Sequence, residues 1–101
     1  MLVMEKRRQL DREVERGLGS VGKLKILRLL IERPDQVFTR YAIGQKISND
    51  PASIRSDLKT LVELNWVNEF KVQHLSKYSI NLDQDVVKQL SVFFQELRRI
   101  Q

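Results

Sequence analysis

The residues best equipped for chemistry lie in the stretch NDPASIRSDLKTLVELNWV, positions 49 to 67. Asp50 is placed to cap a helix and Pro51 to occupy its first position. Ile54, Leu58, Leu61 and Val62 recur at offsets of four, three and one, so they share one face. Ser53, Arg55, Ser56, Lys59 and Thr60 are left on the other side, a set of hydroxyls and cations able to bond phosphate oxygens or base edges. A solvated helix can carry the same face with no partner at all. Asp57 and Glu63 also bring the net charge of segment 51–65 to zero, which argues against a strong nonspecific clamp.

Other chemistries are poorly supported. The chain has one histidine, no cysteine, no glycine-rich phosphate loop and no cluster of carboxylates, so no catalytic site, metal site or cofactor is expected. Without cysteine there is no disulfide framework either. At 101 residues the chain is long enough for one domain. Eighteen Lys and Arg against thirteen Asp and Glu give a formal charge of +5, which favours an acidic partner, nucleic acid first. The N-terminus MLVMEKRRQLDREVER lacks an apolar run of signal-peptide length, and later apolar runs such as Leu29–Ile31 are far too short to span a bilayer. The expectation is a soluble cytoplasmic protein with no membrane partner.

The elements that would position the polar face can be read in order. Residues 3–16 form a helix with a thin apolar stripe, Val3, Leu10 and Val14, and need something to lean on. GLGSVG breaks the chain, and Ser20 can cap the next helix. Residues 23–33 are apolar almost all round, with Lys25, Arg28 and Glu32 as a wet stripe, so this is the central buried helix. RPDQ ends it. Thr39 can cap a short helix, RYAIGQKI, and the helix beginning at Pro51 follows after SND. WVNEFKV (66–72) and KYSINL (77–82) read as a hairpin with a four- or five-residue loop, with Trp66, Phe70, Val72, Tyr78, Ile80 and Leu82 turned inward. The last segment places Asp83 or Asp85 at a helix start and Arg98 and Arg99 at its end. Val86, Leu90, Phe93, Leu97 and Ile100 form a coiled-coil-like seam, widened by Val87 and Phe94. The order is that of a mainly helical α+β fold: a winged helix-turn-helix with a three-helix core and a two-stranded wing.

Residues 20–82 resemble the winged-helix domains of small bacterial and archaeal transcription regulators, notably the ArsR-like and MarR-like groups. DPASIRSDLKTLVELNWV is similar to their recognition helix, FTRYAIGQKIS to the preceding helix and turn, and KYSINL to the returning strand of the wing. Asn65 stands where the family usually has a helix-closing Gly, and Asn is the next-best residue for that left-handed conformation. The cysteine motif of the metal-sensing members is missing, so that sensor is not carried over.

The resemblance implies a division into an N-terminal dimerisation helix (1–19), a DNA-binding domain (20–82) and a C-terminal dimerisation helix (83–101). It implies double-stranded DNA as partner, with the helix from Pro51 in the major groove. Arg55 would donate two hydrogen bonds to a guanine, Ser53 and Ser56 would meet phosphate or bases, and Ala52 a thymine methyl. Lys59 would reach phosphate. Arg40 and Tyr41 would lie over the backbone, and Lys71, His74 and Lys77 would crown the wing. Lys23 and Lys25 would add phosphate contacts. A homodimer would join Val3, Leu10 and Val14 with Val86, Leu90, Phe93, Phe94, Leu97 and Ile100, and set two half-sites about 34–36 Å apart. In the alternative, the winged helix serves protein contacts in a larger assembly, and the terminal seam covers the protein's own core. No effector can be named from the sequence.

Overall fold

The computed structural model describes the backbone of residues 2–100 and side chains from Lys6 to Ile100. Its elements, in chain order, are α1 (Leu2–Leu18), α2 (Val21–Glu32), β1 (Phe38–Thr39), α3 (Arg40–Ile47), α4 (Pro51–Glu63), β2 (Val67–Val72), β3 (Leu75–Ile80) and α5 (Asp85–Ile100). Three helices start at side-chain caps visible in the sequence. Ser20 accepts the Lys23 amide at 3.2 Å, Thr39 the Ala42 amide at 3.1 Å, and Asp50 the Ser53 amide at 3.1 Å. Each bond satisfies an amide that a helix start otherwise leaves without a partner.

The apolar faces of α2, α3 and α4 converge on one core. Ile26, Leu27, Leu30, Ile43, Leu58 and Leu61 are fully or almost fully buried there, and α2 is the central helix, as its sequence predicts. α5 lies against it. Val87 and Phe94 enter the core, the Arg28 guanidinium sits 5.3 Å over the Phe94 ring, and Arg98 pairs with Glu32 at 3.1 Å. Arg28 and Glu32, expected on a wet stripe, therefore hold α5 in place. Phe94 is a correction of another kind. Expected at a dimer interface, it is only 4% exposed and belongs to the chain's own core.

The wing differs from the sequence reading in three respects. It is a three-stranded antiparallel sheet of order β1-β3-β2, because Phe38 and Thr39 pair with Tyr78 and Lys77. Two paired residues leave no periodic signal. The hairpin loop is also shorter than expected: Val72 pairs directly with Leu75, leaving only Gln73 and His74 to turn the chain. Both have positive φ, 51° and 70°, the sign pattern of a type I′ turn made without the usual Asn-Gly. Finally, Phe70, Val72 and Leu82 are exposed, whereas Trp66, Val67, Tyr78 and Ile80 are buried. Phe70 and Val72 share the outer face with Lys77 and Leu75, opposite the face that Val67, Tyr78 and Ile80 turn to the core, so they have nothing to pack against.

α4 ends in a Schellman closure. The Asn65 amide donates to Val62 O at 2.9 Å and the Trp66 amide to Leu61 O at 3.0 Å, with Asn65 left-handed at φ 64°. Trp66 is fully buried, and its six-membered ring lies directly on Gly17 of α1. A methyl group at Gly17 would fall inside the van der Waals shell of the indole. Helix propensity alone would make Gly17→Ala stabilising by about 1 kcal/mol. The expected result is the opposite sign, a loss of about 1–3 kcal/mol from overpacking, read as a lower thermal midpoint.

Candidate nucleic-acid interface

α4 begins after a tight turn. Ser48 closes α3 in the left-handed conformation, φ 56°, its amide donating to Gly44 O at 2.9 Å. Asn49 Oδ1 accepts the Asp50 amide, and Asp50 in turn caps α4. The bond from Ser53 holds the Asp50 carboxyl below its ordinary pKa of 3.8. With α4 so anchored, Ala52, Arg55, Ser56 and Lys59 are exposed and Ser53 is half-buried. Thr60 turns its hydroxyl back onto Ser56 O at 3.3 Å, leaving it less free for a partner.

Arg40 and Tyr41 open α3 beside this face, both exposed. Arg40 and Arg55 together line two shallow depressions, one running toward Tyr41 and Gln45, the other toward Lys59, Glu69 and Tyr78. The starts of α3 and α4 thus share one surface. Tyr41 Oη accepts a bond from Gln45 Nε2 at 3.0 Å, which fixes the ring on the outside. At the wing base Tyr78 donates to Glu69 Oε2 at 2.9 Å; burial first, then the Glu69 bond, pushes the phenol's pKa up.

The acidic residues of α4 are directed elsewhere. Glu63 pairs with Arg16 of α1 at 3.1 Å. Asp57 packs on the first turn of α2, over Gly22. Among the described residues no ion pair involves Arg40, Arg55 or Lys59. A segment of zero net charge therefore presents a positive outer face. Lys23, expected to add a phosphate contact, instead donates its ammonium to Arg16 O at 2.8 Å and closes the end of α1.

On the wing, strand register separates residues that the sequence grouped together. Paired residues share a face, so Lys71, opposite Ser76, lies on the side of Glu69 and Tyr78 and faces α4. Lys77, opposite Phe70, lies on the outer side and is half-buried. His74 is exposed at the tip. The terminal helices show a further split. Leu10, Phe93 and Ile100 are exposed, Val14, Val86, Leu90 and Leu97 half-buried, and the Val3 side chain lies outside the described residues. Val92, about half exposed, joins the open side of α5 and was not singled out by the seam.

Among the described residues, five helices and a small antiparallel sheet in this order define a winged helix-turn-helix. No family model and no curated protein matches the sequence. Solved structures do match. Reduced HlyU from Vibrio cholerae is 18% identical, with a TM-score of 0.76 over 96% of this chain and 97% of that one. The transcriptional repressor BigR from Xylella fastidiosa is 19% identical, with a TM-score of 0.73 over 93% and 91%. The homodimeric winged helix-turn-helix DNA-binding domain of Mb0332 from Mycobacterium bovis, a possible ArsR-family regulator, is 20% identical, with a TM-score of 0.67 over 93% and 85%. These likenesses establish the fold.

Asp50 gives a pH test of how α4 is anchored. Its lowered folded pKa means that the cap contributes stability above the ordinary value of 3.8 and loses it as pH falls through the folded value. Asp50→Ala should therefore melt lower than the parent at pH 7, with the gap closing on acidification. A gap independent of pH would assign the loss to something other than the carboxylate.

Proposed function

We propose that this protein is a sequence-specific, double-stranded DNA-binding transcription regulator that acts as a homodimer, by occupying its site rather than by catalysis. The observation that carries the reading is the one-sided charge of α4: Arg55 and Lys59 face outward beside Arg40, while Asp57 and Glu63 are held by other helices. The repressor BigR and the DNA-binding domain of Mb0332, which share the fold, support it. In this reading α4 enters the major groove, Arg55 and Ser56 meet base edges, and Lys59, Arg40 and Tyr41 hold phosphates. Lys71 and His74 extend the contact along the wing, and Lys77 stands to one side of it.

α1 and α5 serve dimerisation. The side of α5 turned away from the core carries Phe93, 54% exposed, and Ile100, 80% exposed, and the start of α5 lies beside Leu10 of α1. Burying such a side chain is worth roughly 1.5–3 kcal/mol, and a two-fold interface counts each one twice. One observation favours a second reading, a winged helix used for protein contacts: Phe70, Val72 and Leu75 make an exposed apolar strip on the outer face of the wing. The face of α4, however, offers Ala, Ser, Arg and Lys, which suits DNA.

Enrichment from a pool of random duplexes should yield a two-fold-symmetric site. Arg55→Ala should blur one base position per half-site at a cost of about 1–3 kcal/mol, and Lys59→Ala should weaken all sequences alike and lower the salt slope by about one. No enriched sequence, with both variants binding like the parent, would move the protein-contact reading to the front. The paired change Phe93→Glu and Ile100→Glu should leave the fold intact and give a monomer by sedimentation. A dimer that survives it would place the interface elsewhere.

A further inference from the structure

We propose that Asp57, which the DNA-reading face does not use, fixes the roll of α4 and so determines which bases Arg55 and Ser56 select; the inference rests on the DNA-binding reading above. Asp57 is the one ionised residue of α4 turned against α2. Its carboxylate lies over Gly22, so close that a Cβ on Gly22 would collide with Oδ2. The same Cβ would stand 3.0 Å from Asn49 Nδ2, in the turn that leads into α4. Gly22 is buried although it sits in the first turn of a helix, where propensity would favour alanine. No positive φ accounts for a glycine there, since none of the positive-φ residues is a glycine. The close approach of Asp57 does.

The contact is polar as well as steric. The Ser20 hydroxyl, which accepts the Lys23 amide at 3.2 Å, borders the same shallow depression as Asp57. The carboxylate thus lies beside the N-cap of α2, at the positive end of the helix dipole, although burial pushes its pKa up from the ordinary value. Lys23 adds its charge nearby while its ammonium holds the end of α1. One carboxylate is therefore packed on the first turn of α2, and α2 is bonded to the end of α1.

The consequence for recognition is geometric. The rim of a helix lies about 5–6 Å from its axis, so a roll of roughly 10° displaces a group there by about 1 Å. A two-point hydrogen bond between Arg and guanine tolerates only about 2.7–3.2 Å between heavy atoms. The apolar residues Ile54, Leu58 and Leu61 resist pulling α4 away from the core, but apolar contact is non-directional and sets its rotation less sharply. Asp57 supplies the directional restraint. It acts through α4 without touching DNA, as a positioning residue.

Three variants separate position from charge and from stability. Asp57→Asn keeps the shape without the charge, Asp57→Ala removes the restraint, and Gly22→Ala pushes the carboxylate outward. Each is carried through duplex enrichment beside the parent, with thermal melts to confirm folding. Asp57→Asn should return the parent's preferred sequence, binding preferred and scrambled duplexes more tightly by the same factor because a negative charge near DNA is gone. Asp57→Ala and Gly22→Ala should each lose about tenfold of the discrimination at the positions read by Arg55 and Ser56. Parent-like discrimination in Asp57→Ala would overturn the inference and leave the DNA-binding reading standing. So would a loss in Asp57→Asn as large as in Asp57→Ala, which would make charge rather than position the cause. A parent that enriches no sequence overturns both.

Discussion

Trp66 is where the architecture is tied together. Its amide closes α4 by donating to Leu61 O, its carbonyl accepts the Asn81 amide at 3.0 Å where β3 leaves the wing, and its ring is buried against Gly17 of α1. Asn81 reinforces the joint by donating its side-chain amide to Asn65 O at 2.7 Å. The end of α4, the base of the wing and the N-terminal helix thus meet at one residue. An indole of this size buries about 150–250 Å², worth on the order of 4–6 kcal/mol. Its N–H has no protein partner among the described residues, which costs about 1–3 kcal/mol, so the balance still favours burial. Asn65 makes the joint possible by taking the left-handed conformation that turns the chain from helix to strand within two residues.

With the far end of α4 held by Trp66 and its near end capped by Asp50, the helix can afford a polar outer face. What distinguishes that face is where the opposite charges go. Glu63 is drawn to Arg16 and Asp57 to the first turn of α2, so both acids serve packing between helices. Arg55 and Lys59 remain outside with Arg40. Counting charges along α4 gives zero; sorting them by direction gives a positive surface of the kind that phosphates attract.

The helices were largely legible because their signals are local. Asp50 with Pro51, Thr39 and Ser20 each mark a cap, and Asn65 marks a left-handed closure; all four act in those roles. The wing was less legible because its signals depend on what lies across from each residue. Phe70 and Val72 alternate as buried residues would, yet the register turns them to the outer face of the wing, away from the core. Gln73 and His74 turn the chain without a residue type that announces a turn, and Phe38 with Thr39 is too short a strand to show a period. Phe94 and Phe93 are adjacent and equally apolar. Phe94 is the one turned in, on the face of Val87 one heptad earlier, and Arg28 covers its ring. The outward set on α4 followed from helical periodicity and the candidates Arg40 and Tyr41 from the family resemblance, whereas the separation of Lys71 from Lys77 needed the strand register. Asp57 reads in sequence as one more surface acid, since its partners lie more than thirty residues earlier in the chain.

One face, built from the starts of α3 and α4 and the inner side of the wing, is the surface proposed to meet double-stranded DNA. The most direct measurement is a titration of isotope-labelled protein with a duplex, following every backbone amide by NMR. Shifts should concentrate at residues 40–41, 51–60 and 71–76, with the core positions of α2 and the outer strip at Phe70 and Val72 little changed. Shifts confined to the outer strip of the wing or to α5, with 51–60 silent, would contradict the proposal.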